Sequence, residues 1–276
     1  MRIMVISDVH IDSNPWSWDL IDSVADREVS TVIVAGDVSN DVFETSRWLV
    51  ELRQRFENVI WVAGNHDFYN LGFHQTRLHD PAWSARWPYP RTVEEMLDHY
   101  SRWSEHNGIH FLHRSSVSID GVTFIGATGW HDYVAGTPYP ASMQIDAWYN
   151  IINDHHICWR HPWNPDHLAP YDAGVRDADR IHELVGKSDG NMVVITHHVP
   201  HRQCLHLRPE NPAWTMLHGS FANTRLERVV NDRIGHWIYG HTHLRGMKTI
   251  GNTTYLCNPR GYPGENPGWE PVFIDV

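Results

Sequence analysis

The sequence is poor in the features that mark several protein classes. Its 276 residues include only three cysteines, Cys158, Cys204 and Cys257, and no Cys-x-x-Cys pair. An odd, scattered set argues against a disulfide framework and a zinc ribbon, and suits a reducing compartment. No apolar run approaches the roughly 20 residues that span a bilayer, so no membrane partner is expected. The opening stretch MRIMVISDVH lacks the charged head, long apolar stretch and small-residue cleavage site of a secretory signal, and a cytoplasmic protein is expected. Basic charge is also in deficit. Lys and Arg number 22 against 33 Asp and Glu, and the formal charge of -11 repels polyanions and speaks against general nucleic-acid binding. Repeats and low-complexity linkers are missing too. With 41% hydrophobic and 20% charged residues, the composition is that of a globular chain, read as a single domain over 1–276.

What the chain has in quantity is histidine, 22 residues, and tryptophan, 14. The histidines matter because short β-branched runs repeatedly end in metal-capable side chains. Arg2 to Ser7 leads to Asp8 and His10, Thr31 to Ala35 to Gly36-Asp37, and Val59 to Ala63 to Gly64-Asn65-His66-Asp67. Later, Met192 to Thr196 leads to His197-His198, and His236 to Tyr239 to Gly240-His241-Thr242-His243. Near-continuous apolar strands imply sheets buried on both faces, and in open α/β sheets ligands gather beyond the carboxyl ends of the strands. Residues far apart in sequence therefore converge. Helical periodicity is read over Val42 to Phe56, Val93 to Glu105, Asp177 to Val185 and Phe221 to Asn231. Hairpins are expected at Asp120-Gly121 and Gly251-Asn252. Two stretches rich in Trp, His, Pro and Tyr, near 69–91 and 131–170, read as insertions over the carboxyl edge, with Trp83, Trp87, Trp148, Trp159 and Trp163 as a candidate pocket wall.

The strand ends supply carboxylates (Asp8, Asp37), an amide oxygen (Asn65) and imidazoles (His10, His197, His241, His243), without thiolates. Such a set suits Mn, Fe, Zn or Co, and it exceeds the four ligands of one tetrahedral zinc, which suggests two ions. A carboxylate reaching both would hold them about 3.5–4 Å apart, as in-line displacement at phosphorus requires.

Taken in order, Asp8-Val9-His10, Gly36-Asp37, Gly64-Asn65-His66-Asp67, His197 and Gly240-His241-Thr242-His243 resemble the motif set of the calcineurin-like metallophosphoesterase superfamily. The tail Asn258-Pro259-Arg260-Gly261-Tyr262 is similar to that of a bacterial and phage branch. The resemblance implies an α/β fold, a four-layer αββα sandwich of two mixed sheets flanked by helices. It also implies an enzyme that cleaves phosphoesters, as phosphodiesterase or phosphatase on a small or medium substrate, with nucleotide-like phosphoesters among the candidates. By position, Asp8, His10 and His243 would hold the first divalent ion, Asp37 would bridge, and Asn65, His197 and His241 would hold the second. Mn is the expected metal, with Fe, Zn, Ni or Co as alternatives. A metal-bound hydroxide would attack, His66 would protonate the leaving oxygen, and Asp67 would fix its ring. Two residues are candidates for substrate contact, His198 facing the pocket and Arg260, the latter either neutralising a phosphate or supporting the ligands by hydrogen bonds. Asn40 could bond the chain near the site, with a helix N-cap as its preferred role. A non-catalytic binding module of the same fold, a single-metal protein using His241 and His243, and a nuclease or protein phosphatase of the superfamily stand as alternatives; oligomeric state is open.

Overall fold

A computed structural model of the chain describes residues 1–19, 21–22, 29–69, 93–135, 139–154, 169–206 and 212–276. In chain order the elements are β1 (Arg2–Ile6), β2 (Thr31–Ala35), α1 (Val42–Arg53), β3 (Asn58–Val62), α2 (Val93–His106), β4 (His110–Phe111), β5 (Ser115–Ile119), β6 (Val122–Gly126), α3 (Ala141–Ile151), α4 (Ala169–Lys187), β7 (Asn191–Ile195), α5 (Pro212–Leu217), β8 (Ile234–Tyr239), β9 (Gly246–Ile250), β10 (Thr253–Cys257) and β11 (Val272–Asp275). They form two mixed sheets, ordered β11-β1-β2-β3-β4 and β5-β6-β7-β8-β10-β9. Parallel pairing dominates each sheet; β11 closes one edge of the first antiparallel and β4 the other parallel, while β5 and β9 close the second antiparallel.

Alternation along the strands sorts the apolar residues into three layers. Ile3, Val5, Ile33, Ile60, Val62, Phe124, Val193, Ile195 and Ile238 meet between the two sheets. The opposite face of the first sheet, with Met4, Val32, Val34 and Trp61, packs on Leu49 and Leu52 of α1 and Met96 and Tyr100 of α2. The opposite face of the second, with Ile125, Val194 and Trp237, packs on Ala178, Ile181 and Val185 of α4. Because side chains alternate with a period of two, each central strand serves two apolar layers at once, and the expected helix–sheet–sheet–helix sandwich results.

The hairpin at Asp120-Gly121 forms as expected, with φ of 49° and 81° at its two central residues, the left-handed pair that joins twisted antiparallel strands. The Gly251-Asn252 turn likewise joins β9 and β10. A correction falls on Phe221 to Asn231, where only a 3₁₀ turn over Thr224–Arg228 forms. Val199 donates to Phe221 O and accepts from Asn223 N–H, an extended pairing that draws Phe221–Asn223 out of any helix. The stretch 131–170 also contains more regular structure than expected: α3 lies within it and α4 begins at its end. Trp83, Trp87, Trp159, Trp163 and most of the 69–91 insertion lie outside the described residues, whereas Trp148 of α3 is fully buried. Cys204 and Cys257 are buried free thiols, and no helix among the described residues is long and apolar enough to cross a membrane.

One buried carboxylate ties α4 to the loop that leads toward the strand ends. Asp177 accepts from Gly129 N–H at 2.8 Å, Trp130 N–H at 3.3 Å and Arg114 Nε at 2.6 Å. Thr128, next in that loop, accepts the N–H groups of His197 and His198. Asp177→Ala leaves two buried N–H groups and a guanidinium without their acceptor, and is expected to cost about 3 kcal/mol of stability. Urea denaturation measures this; an unchanged midpoint would mean the loop is held by other contacts.

Candidate metal centre

At the carboxyl ends of their strands the two sheets are joined by backbone hydrogen bonds. Ser7 N–H donates to Asn258 O, Arg260 N–H to Ser7 O and Gly261 N–H to Asp8 O, joining the end of β1 to the end of β10. Asp8 N–H reaches Gly36 O and Gly240 N–H reaches His197 O. The chain bends sharply at these points. Asp8, His10, Asp37, His241 and His243 all adopt left-handed φ between 41° and 72°. They are five of the eight non-glycine residues that do so among the described residues, and such backbone strain clusters where function requires it. Gly64 permits the closest approach: a Cβ there would lie 2.1 Å from Asp37 Oδ1 and 2.7 Å from His197 Cε1. Gly36 combines φ of 86° with only 2.4 Å between such a Cβ and His197 Nδ1.

The side chains so placed fall into two overlapping groups. Asp8, His10, Asp37 and His243 bring one ligand atom each within 4.8 Å of one another, and Asp37, His197 and His241 do the same. Asp37, 1% exposed, belongs to both. Its Oδ2 lies 3.3 Å from His197 Nε2 and 3.7 Å from His10 Nε2, while Oδ1 accepts the His66 backbone N–H. Asn65 Oδ1 points into the second group, 2.9 Å from His197 Nε2 and 3.0 Å from His241 Nδ1. In the first, His10 Nε2 and His243 Nε2 face each other at 3.0 Å. Asp8 Oδ2 and His241 Nε2 are buried without a hydrogen-bond partner. Acceptors aimed at common points, with buried polar atoms left over, are what a cation-binding donor set looks like, and this set fits two divalent ions.

Surrounding residues set the orientation of these donors. His197 Nδ1 lies 2.9 Å from Ala35 O, and since a carbonyl only accepts, Nδ1 carries the proton and Nε2 is free to ligate. His243 Nδ1 is held by Glu265 at 2.6 Å, which frees its Nε2 likewise. Burial opposes the charge on Asp37, but the positive charges of His197 and His66 outweigh it and hold the carboxyl well below its usual range. Burial alone would lower His197; Asp37 beside it instead raises it to about 9. Burial pulls both His10 and His66 down to about 4.

Several sequence expectations need correction. Asp67 does not fix the His66 ring. Its fully buried carboxylate accepts from the backbone N–H groups of Asp37, Val38 and Gly64 at 2.8–3.0 Å, tying the β2 and β3 ends together, and burial with Asp37 alongside pushes it up to about 7. Asn40 takes the expected place of Asp67, with Oδ1 2.7 Å from His66 Nδ1, and the N-cap of α1 is Asp41 instead. An amide oxygen only accepts, so Nδ1 keeps its proton and Nε2 is the nitrogen that can exchange one. Arg260 spends its guanidinium on the carbonyls of Val9, Asn14 and Pro15, bracing the loop after β1. These bonds go to backbone carbonyls of the loop that follows β1, and Arg260 also lines the cavity beside Tyr262. His198 is fully buried behind His241, with ring centroids 4.2 Å apart and Trp130 and His131 beside it, and does not face an open crevice.

Two further residues at the centre, Glu265 and Asp154, lie outside the sequence motifs, and a third, Tyr262, lies in the tail motif but had no role assigned to it. The Tyr262 ring lies 4.5 Å from that of His10, and its hydroxyl is 3.2 Å from His66 Nε2. Next to it opens a cavity of about 330 Å³ lined in part by Trp16, Arg260, Tyr262 and Trp269.

Comparison with known proteins bears on this geometry. The sequence model of calcineurin-like phosphoesterases matches residues 1–245. An uncharacterized protein of Acanthamoeba polyphaga mimivirus is 22% identical over 298 residues, covering 100% of this chain and 97% of that one. Among solved structures, phosphopantetheinyl hydrolase from Mycobacterium tuberculosis superposes with a TM-score of 0.71 at 17% identity, over 99% of this chain and 95% of that one. A dimetal phosphatase from Danio rerio gives 0.45 at 14% identity, over 93% and 86%. The similarity to the mycobacterial structure establishes the fold.

A pH dependence follows from His197. A ligating Nε2 must be unprotonated, so below about pH 9 an ion entering the second group displaces a proton, and uptake weakens as pH falls. Affinity for that ion is expected to rise about tenfold per pH unit from pH ~6.5 to ~8.5 and to flatten above ~9. Calorimetric Mn titrations across that range measure it; a pH-independent affinity would show that His197 releases no proton.

Proposed function

The chain belongs to the calcineurin-like phosphoesterase family, and from that premise we propose that it hydrolyses phosphoesters at a dinuclear metal centre with His66 as proton donor. The observation that carries this reading is Asp37, one buried carboxylate common to two donor groups. In the proposed arrangement Asp8, His10, Asp37 and His243 hold one divalent cation, and Asp37, Asn65, His197 and His241 hold the other. Manganese is the proposed occupant, since an oxygen and nitrogen set of this size accepts it without thiolates. When bound, the ions supply a nucleophile at neutral pH and neutralise charge on the phosphoryl oxygens of an in-line displacement.

The chain's own residues supply the proton and the fit. Asn40 keeps Nδ1 of His66 protonated, so Nε2 is the position from which a proton passes to the leaving oxygen. Tyr262 marks the leaving-group side, because its hydroxyl already lies against Nε2. The adjoining cavity, walled by Trp16, Tyr262 and Trp269, suits a leaving group with a flat face such as a nucleotide. Base stacking on aromatic side chains supplies about 1–3 kcal/mol per base. The proposed substrate is therefore a small or medium phosphoester in the cytoplasm, with phosphodiester and phosphomonoester hydrolysis both within reach of the centre.

Metal analysis of the purified chain, with hydrolysis of bis-p-nitrophenyl phosphate and p-nitrophenyl phosphate in added Mn, tests the proposal. Two ions per chain and turnover are expected, and the faster substrate separates diesterase from phosphatase. A phosphopantetheinyl ester belongs in the same panel, being the group for which the structurally similar mycobacterial enzyme is named. His66→Ala should keep both ions and lower the rate by roughly 10²–10⁴, most for poor leaving groups. Asp37→Asn should lose metal. A His66→Ala enzyme with full activity on a poor leaving group would remove the proton-donor role, and an Asp37→Asn enzyme with two ions and full turnover would remove the bridge.

A further inference from the structure

The segment between β6 and α4 delivers one carboxylate to the centre that no motif contains. Asp154 lies three residues past the end of α3 and is 1% exposed. Its Oδ1 accepts two hydrogen bonds, from Asn65 Nδ2 at 2.8 Å and from the Tyr69 hydroxyl at 2.6 Å. These donors flank His66 in sequence, and the Tyr69 ring lies against that of His66, with centroids 4.0 Å apart and planes inclined by 30°. The other end of the Asn65 amide, Oδ1, is the atom that points at His197 and His241.

Building on the dinuclear reading above, we propose that Asp154 is a positioning residue for the second metal ion, fixing the Asn65 amide so that its oxygen and not its NH2 faces the cation. The argument is one of donor and acceptor identity. A side-chain amide is nearly symmetric in shape, and packing alone distinguishes its two ends poorly. A carboxylate accepts and does not donate, so Asp154 can bond Nδ2 and is repelled by Oδ1. A flipped Asn65 would set oxygen against oxygen in a buried site and turn two N–H bonds toward the ion. Burial makes both errors costly, because no solvent is at hand to screen the contact or replace the lost bond. Tyr69 holds the accepting oxygen from a second direction and thereby fixes Asp154 as well. Asp154 makes no hydrogen bond to Asp8, His10 or His243, so the effect is confined to one ion.

That selectivity is what the experiment reads. The full chain, stripped by chelation, is dialysed to equilibrium against graded free Mn and its bound metal counted. The wild type should take up two ions. Asp154→Ala should weaken the second ion by roughly 10–100-fold, the usual effect of removing a partner of a metal ligand, and leave the first unchanged. Asp154→Asn, whose amide oxygen can still accept from Nδ2, should restore the second ion. Tyr69→Phe keeps the Asn65 bond and should weaken the second ion by a smaller factor; where Asp154→Ala fails to fold, this variant and Asp154→Asn decide. Uptake of both ions at wild-type affinity by Asp154→Ala overturns the proposal, as does equal weakening of both ions, the signature of a residue that only supports the fold. With Tyr69→Phe as the deciding variant, an unchanged second ion overturns it. A wild-type chain that takes up fewer than two ions overturns the dinuclear reading instead, a separate result.

Discussion

Asp37 imposes the constraint from which the rest of the centre follows. A carboxylate withdrawn from water costs several kcal/mol unless donors or positive charge surround it. At Asp37 the His66 backbone N–H meets one oxygen and the imidazoles of His197 and His10 converge on the other. To bring those groups in from separate strands, the chain must turn within two residues of each strand end. This explains why β1, β2 and β8 are each followed by side chains in left-handed backbone, and why glycine occupies the places where Cβ atoms would collide with Asp37 and His197. Cations, as proposed, would complete the compensation that the imidazoles begin.

Around this carboxylate the protein invests in orientation. A carbonyl at Ala35, a carboxylate at Glu265 and, by our proposal, a carboxylate at Asp154 each fix which atom of a donor side chain faces inward. Asp67 acts on the backbone: by gathering N–H groups from the turns after β2 and β3, it sets the distance between Asp37 and Asn65. Arg260 does the same for the loop after β1 through three carbonyls. Two side chains expected to do chemistry thus hold chain segments in place, while Asn40 orients His66.

The pattern of success and failure in reading the sequence has a physical origin. Strand ends were legible because apolar β-branched runs and the polar residues that stop them are local signals, and the sandwich follows from strands buried on both faces. The gathering of Asp8, His10, Asp37, Asn65, His197, His241 and His243 was legible because a parallel sheet brings all its carboxyl ends to one edge. Contacts made across the fold were not. Whether Asn40 or Asp67 reaches His66 depends on side-chain direction after a turn, and Asn40 lies 26 residues away, beyond the end of a neighbouring strand. Asp154 and Glu265 belong to segments without periodicity, and their roles exist only once distant chain is packed against them. Phe221 to Asn231 had helical spacing, yet pairing with Val199 overrode it, as tertiary contacts often override local preference.

The central claim, that one buried carboxylate is shared by two cations, is tested most directly by low-temperature electron paramagnetic resonance of the Mn-loaded chain. A bridge through Asp37 predicts the spectrum of an exchange-coupled pair, and its replacement by isolated six-line signals in Asp37→Asn. A wild-type chain that shows only isolated Mn signals at full loading would contradict the account.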